Sequence, residues 1–176
     1  SDGEIIHLWD RECSVQRRFQ KLVEIAPAPN LSEEVRTQII NSAMLLAKSV
    51  GYSNIGTFEF LVPSDRSNEE KPFVFIEANA RLQVEHTVTE EVTGIDIVQT
   101  QIQIAEGASI SDLDIRNNSK QPPVGFAIQT RVNMETLTSA GNVRPSSGEL
   151  EVYDPPIGTG VRIDGCGYTT YTTNTS

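Results

Sequence analysis

Residues 75–94 read FIEANARLQVEHTVTEEVTG: an apolar start, then four Glu, an Arg, a Gln and a His in a run that ends with helical spacing. A buried strand that runs out into so much charge needs a reason, because a carboxylate inside an apolar strand is costly unless cations or hydrogen bonds compensate. The run before it, GTFEFLV at residues 56–62, has the same character, with Glu59 interrupting apolar and aromatic neighbours. The two runs, separated by the polar stretch PSDRSNEE, read as an antiparallel hairpin with a long exposed loop. In such a hairpin Glu59 and Glu77 can sit side by side, and the period of two puts Asn79 on the face of Glu77. Two carboxylates and an amide oxygen are hard ligands suited to Mg²⁺ or Mn²⁺. The competing reading has one Glu facing solvent and the other paired with an Arg. The residues alone leave both open.

Beyond the strand end, Arg81, Gln83 and Glu85 alternate, and would point the same way if the chain stays extended. Arg suits a planar anion gripped by two parallel hydrogen bonds, whether carboxylate, carbonate or phosphate. Glu85 beside such an anion could be a general base. The alternative is a solvated loop of ordinary charges. His86 to Val92 is expected to be a short helix ended near Gly94, with Glu90 and Glu91 as surface charge. Asp96 can then cap a further helix, in which Ile97, Gln101, Ile104 and Ala105 share a face before Gly107.

Upstream, Ser32 can cap a helix whose first turn carries Glu33 and Glu34, favourable against the helix dipole. Val35, Ile39, Ala43, Leu46, Ala47 and Val50 recur at helical spacing, and Gly51 stops the run. EIIHLW (4–9) and LVEIA (22–26) read as two strands flanking the charged segment DRECSVQRRFQK. Arg17, Arg18 and Lys21 there form a local positive patch of the kind a polyphosphate site needs, although bland surface clusters share that composition. Periodicity lapses in DIRNNSKQPP (114–123), which marks a boundary. VGFAIQTRVNM then alternates as a strand, where Arg131 points either to a cleft or to a surface salt bridge. GELEVYD and TGVRIDG complete a β-rich tail.

The chain has 176 residues, with 24 Asp and Glu against 14 Lys and Arg and a formal net charge of −10. Such a balance argues against a duplex DNA partner, whose phosphates need a basic face. Cys13 and Cys166 lie far apart and outside any CxxC spacing, so neither a disulfide framework nor a zinc site is indicated. No apolar run approaches the roughly 20 residues of a membrane helix. The expected setting is therefore the cytoplasm, or mitochondria in a eukaryote. Both ends read as cut, and a piece of something larger is expected. P-loop, GxGxxG, HExxH and GxSxG motifs are absent, so bound ATP would need something other than a Walker loop.

Taken together, RECSVQRRFQK (11–21), GTFEFL (56–61), FIEANARLQVEHTVTEEVTGID (75–96) and AIQTRVNME (127–135) resemble the biotin carboxylase family, the ATP-grasp component of biotin-dependent carboxylases. The order of the segments matches throughout, and RLQVEHxVTE is highly specific to that family. The resemblance implies an α+β fold: the C-terminal part of an ATP-grasp domain, an antiparallel sheet with helices, over residues 1–116. The start of a β-rich biotin carboxylase C-terminal domain would follow over 117–176.

It also implies a reaction in which ATP and bicarbonate form carboxyphosphate, which yields CO₂ and phosphate for carboxylation of biotin N1. Glu59, Glu77 and Asn79 would hold the metal ions that bridge the ATP phosphates. Arg81, Gln83 and the backbone N–H of Val84 would hold bicarbonate, and Glu85 would take its proton. Lys21 would stabilise phosphate and bicarbonate charge, Arg131 the biotin enolate, and Gln16 would contact the ribose.

Implied partners are a biotin carboxyl carrier domain, a carboxyltransferase domain or subunit, bicarbonate and a second copy in a homodimer, with neither nucleic acid nor membrane. Two positions depart from the family: Phe19 replaces a common His near the ribose, and Thr87 stands where many acyl-CoA carboxylase components have Pro. The family's N-terminal domain and glycine-rich lid have no counterpart among these residues, so the isolated chain is expected not to turn over. Another ATP-grasp ligase, such as a carbamoyl phosphate synthetase large-subunit half, and a non-catalytic module are the competing readings.

Overall fold

The computed structural model describes residues 3–64, 72–113, 115 and 119–173. They fall into two compact units, Ser1–Arg131 and Val132–Ser176. The loop expected after Val62 lies largely outside the described residues, as do Asp114 and residues 116–118 at the expected domain boundary.

The first unit begins with a hairpin of β1 (Glu12–Arg17) and β2 (Gln20–Ala26), antiparallel with Arg17 opposite Gln20. Arg18 and Phe19 close it with φ of 50° and 67°. A two-residue hairpin loop of the primed type demands positive φ at its central residues, since that twist matches the flanking strands. The charged segment expected to connect two strands is thus itself strand and turn. Residues 4–9, expected as a strand, form none. Trp9 takes a φ of 65°, which breaks the extended conformation at the end of that run.

On the other edge of β2 lies β5 (Ala127–Thr130), pairing Val23 with Thr130 and Ala26 with Ala127. The resulting sheet has the order β1-β2-β5. The expected strand at residues 124–134 is therefore shorter than its alternation suggests, although the Arg131 N–H continues the ladder to the Leu22 carbonyl at 3.0 Å.

Helix α1 (Glu33–Ser49) forms as its cap predicts: Ser32 Oγ accepts from the Val35 N–H at 3.4 Å, and Glu33 and Glu34 occupy the first turn. Gly51, with φ 60°, follows its C-cap. Arg36 ties the helix start to the preceding loop, donating to Asp10 Oδ1 at 2.8 Å and to the Ala28 carbonyl at 2.9 Å. The predicted second hairpin is present as β3 (Thr57–Leu61) and β4 (Val74–Asn79), with Glu59 directly opposite Glu77 and a bulge after Glu59.

Two further helices follow, α2 (His86–Thr93) and α3 (Ile97–Ala105), and then a short 3-10 turn at Ile110–Asp112. Gly94 ends α2 in the left-handed region, φ 69°, where a residue with a Cβ is strained. Asp96 Oδ1 caps α3 through the Gln99 N–H at 2.7 Å. Val88 and Val92 on one face of α2 pack against Ala26 of β2, with Ala127 of β5 alongside. Thr87 Oγ1 adds a hydrogen bond to Gln129 Oε1 at 2.6 Å. Burial of this apolar face holds the start of α2 against the sheet, which puts the residues just before α2 beside the side chains of β2.

Among its described residues the second unit has two small antiparallel pairs: β6 (Glu135–Leu137) with β7 (Val143–Pro145), and β8 (Gly148–Glu149) with β9 (Thr172–Thr173). GELEVYD supplies only the two residues of β8, and residues 159–165 form no strand. Alternation in such short runs sets a preference, but a strand needs a partner edge. Every strand pairing among the described residues is antiparallel, so the chain is an α+β structure of antiparallel sheets with few helices.

Candidate active site

Side chains from β2, β3, β4, the 80–85 segment and the end of β5 converge on a single charged cluster. Lys21, near the start of β2, places Nζ 2.8 Å from Glu59 Oε1 and 2.7 Å from Glu85 Oε1. Glu85, only 3% exposed, presents its other oxygen to Arg131 Nη2 at 2.9 Å. Glu59 Oε1 also accepts from Gln83 Nε2 at 2.9 Å and from Asn79 Nδ2 at 3.2 Å. Asn79 Nδ2 in turn donates to Glu77 Oε1 at 2.8 Å. Two cations and two amides thus compensate the buried Glu85 and the part-buried Glu59, whereas β4, expected as a buried strand, is exposed from Val74 to Ala78, and Glu77 with it.

Burial alone would push the Glu85 carboxyl up, but the hydrogen bonds from Lys21 and from its own backbone N–H, with the Lys21 and Arg11 charges, bring it below its ordinary value. Glu59 behaves alike: burial raises it, and the hydrogen bonds from Lys21 and Gln83 outweigh that, leaving it lowered. For Lys21 burial disfavours the charge, yet its bonds to Glu59 and Glu85 leave its ammonium pKa raised. All three are charged near neutrality. Cys13, by contrast, is pushed up to about 11, mainly by burial and partly offset by Lys21 and Arg11, so it stays a thiol.

Among the described residues, no group of three or more His, Cys, Asp or Glu could hold a metal ion by itself. The candidate donors are therefore Glu59, Glu77 and Asn79. Their chemistry fits a hard divalent cation: two opposed carboxylates, with an amide bridging them at the point where a cation would offset their repulsion. Ligation would require Asn79 to present Oδ1 instead of Nδ2, a rotation about one terminal bond.

The structure does not gather every expected residue. The 80–85 segment turns, with the His86 N–H donating to the Gln83 carbonyl at 3.2 Å, so alternation does not aim Arg81, Gln83 and Glu85 alike. Gln83 and Glu85 are buried, whereas Arg81 is exposed and donates to the neighbouring Leu82 carbonyl at 3.1 Å. Val84 is 59% exposed. Gln16 donates to the Cys13 carbonyl at 2.8 Å on its own strand, and Phe19, at the hairpin tip, is 96% exposed.

Sequence reasoning missed Glu24, which is fully buried, with Arg131 Nη2 at 2.7 Å from its Oε1. Both Glu24 oxygens and Arg131 Nε lack a hydrogen-bond partner. The contact is thus electrostatic. The signal was available, since Glu24 interrupts the apolar run LVEIA as Glu59 interrupts its own. Arg11 was also missed; it donates to Gln83 Oε1 at 3.2 Å and to Thr89 Oγ1 at 2.9 Å. Glu90 is not the surface charge expected: its Oε1 accepts from the Ile97 N–H at 2.8 Å, bracing the start of α3.

Residues 1–113 match the family model described as the ATP-binding domain of the carbamoyl-phosphate synthase L chain. Pyruvate carboxylase 1 of Caenorhabditis elegans is 53% identical over 162 residues, covering 92% of this chain and 13% of that protein. Among solved structures, pyruvate carboxylase of Rhizobium etli superposes with a TM-score of 0.88 at 40% identity, over 98% of this chain and 17% of the other. The biotin carboxylase domain of a thermophilic 2-oxoglutarate carboxylase, bound to bicarbonate, superposes with a TM-score of 0.85 at 38% identity, over 99% of this chain and 37% of the other. The chain thus spans a small part of the length of these relatives. With the family model covering most of the chain, and with the buried carboxylates, cations and amides already in place, this chain belongs to the carbamoyl-phosphate synthase L chain ATP-binding domain family, and within it is similar to the biotin carboxylase domains of biotin-dependent carboxylases.

Proposed function

We propose that this chain is part of the biotin carboxylase component of a biotin-dependent carboxylase, contributing the bicarbonate and metal side of an ATP-dependent ligase site. The observation that carries the proposal is the position of Glu85. It is buried, ionised and held by Lys21 at 2.7 Å and Arg131 at 2.9 Å, with Gln83 two residues away in the same cluster. A carboxylate held between two cations, beside an amide donor, can receive a small anion and take its proton once the anion draws on those same cations.

In this reading Arg81, Gln83 and the Val84 N–H hold bicarbonate, and Arg81 turns in from its exposed position when the anion arrives. Glu85 removes the bicarbonate proton, and the oxygen so freed attacks the γ-phosphorus of ATP while the bond to ADP breaks. Lys21 faces the charge that develops on the phosphoryl and carbonate oxygens. Cleavage of the C–O bond of carboxyphosphate gives CO₂ and phosphate; phosphate takes the N1 proton of biotin, and N1 bonds to CO₂. Arg131 stabilises the enolate form of the biotin ureido group. Glu59, Glu77 and Asn79 are the residues that would hold Mg²⁺ or Mn²⁺, whose chemistry is to neutralise phosphate charge. Gln16 is proposed at the ribose, where Phe19 cannot supply a hydrogen bond.

The two domains proposed, 1–116 and 117–176, are supported on the N-terminal side by a family match that stops at residue 113. The compact units divide later, after Arg131, because β5 pairs with β2. Proposed partners are a biotin carboxyl carrier domain, a carboxyltransferase domain or subunit, and a second copy of the chain. The test is ADP formation by the full-length protein carrying this chain, with ATP, Mg²⁺ and bicarbonate. Stimulation by free biotin is expected, and no stimulation would favour a carbamoyl phosphate synthetase type of ligase.

A further inference from the structure

Gln83 is 7% exposed, and its amide lies between a donor and an acceptor of opposite demand. On one side Arg11 Nη2 stands 3.2 Å from Oε1; on the other Glu59 Oε1 stands 2.9 Å from Nε2. An amide is nearly symmetric in shape but not in chemistry, for one end only accepts and the other only donates. Arg has donors only, and cannot lose its charge in a protein. Turning the Gln83 amide over would therefore set NH₂ against guanidinium and oxygen against carboxylate, two repulsive contacts in a buried place.

Arg11 is itself held at several points. Nη1 donates to Thr89 Oγ1 on α2 at 2.9 Å, and Nη2 lies 3.4 Å from Thr57 Oγ1 on β3. The planar fork thus spans a helix, a strand and the segment that carries Gln83.

We infer that Arg11 is a positioning residue for anion binding: it locks the Gln83 amide with Nε2 toward the cluster, so that an incoming oxyanion of the bicarbonate class meets a donor there and not an acceptor. This rests on the proposed anion-holding role of Gln83. Arg11 acts through that amide, and its effect should vanish when the amide is gone.

The experiment is a double-mutant cycle in the full-length protein carrying this chain, reading KM for bicarbonate and KM for ATP in bicarbonate-dependent ADP formation. Gln83→Ala and Arg11→Met are each expected to raise KM for bicarbonate by about tenfold, the scale of one lost hydrogen bond to a charged group, with KM for ATP within about twofold. The double variant should be no worse than Gln83→Ala alone, because coupled residues are not additive. Arg11→Lys, which keeps the charge but lacks the fork, should give an intermediate KM, and it serves if Arg11→Met does not fold. Additive effects, or KM for ATP rising in step with that for bicarbonate, would overturn the inference. So would an unchanged KM for bicarbonate in both Arg11 variants while Gln83→Ala raises it. If Gln83→Ala itself leaves that KM unchanged, the anion role of Gln83 fails, and the inference with it.

Discussion

Lys21 Nζ is shared between Glu59 at 2.8 Å and Glu85 at 2.7 Å, so one ammonium joins the carboxylate pair of the hairpin to the carboxylate at the start of α2. Replacing it with Met leaves Glu59 without its cation and the buried Glu85 with Arg131 alone. Breaking a buried pair from one side costs about 3–5 kcal/mol; here the part-exposed Glu59 should bring the loss to the lower end. Denaturant unfolding of Lys21→Met in the full-length protein should show that loss, together with near-complete loss of bicarbonate-dependent ADP formation. Wild-type stability would show that the three groups do not act together.

Stability should depend on pH at both ends. Glu59 and Glu85 titrate below their ordinary 4.5 in the folded chain, so their stabilisation is present above 4.5 and is lost as pH falls through the folded values. Lys21 titrates above its ordinary 10.5, so its share is present below 10.5 and disappears as pH rises through the higher folded value. Unfolding free energy measured against pH should fall on the acid side more steeply in wild type than in Glu59→Gln. Parallel acid limbs would contradict the assignment.

Glu77 stands opposite Glu59 and shares the Asn79 amide with it. Glu77→Gln should weaken Mn²⁺ binding in the presence of ATP by about 10- to 100-fold, the range expected for a disturbed metal site. Titration followed by electron paramagnetic resonance reads this directly. Unaltered Mn²⁺ affinity would remove Glu77 from the donor set.

Gly94 ends α2 at φ 69°. Gly94→Ala should cost about 1 kcal/mol through strain in the left-handed region, visible as a lower thermal midpoint. Since nothing lies within contact distance of an added Cβ there, the loss would be conformational and not steric.

Much of this architecture is legible in local chemistry. Ser32, Asp96, Gly51 and Gly94 mark helix ends because each satisfies or terminates backbone hydrogen bonding within a few residues of itself. The Glu59 and Glu77 pairing is equally readable, since two apolar runs joined by one polar stretch form a hairpin and each is interrupted by a single Glu. What escaped depends on a turn that its residue types do not announce, or on contacts distant in sequence. The β1-β2 turn rests on positive φ at Arg18 and Phe19, residues without the Gly or Asn that usually announce it. Glu24 and Arg11 gain meaning only when β5 and α2 close over them, bringing Arg131 and Gln83 within reach. Alternation alone likewise overpredicted the reach of Arg81, because the chain turns before Glu85.

The most direct test of the central claim follows oxygen. Full-length protein carrying this chain is given ATP, Mg²⁺ and bicarbonate labelled with heavy oxygen, and the phosphate released is analysed by mass spectrometry. If Glu85 activates bicarbonate for attack on the γ-phosphorus, each phosphate carries one labelled oxygen, and Glu85→Gln abolishes labelled phosphate. Phosphate that is unlabelled, with its oxygen drawn from water, would contradict the account.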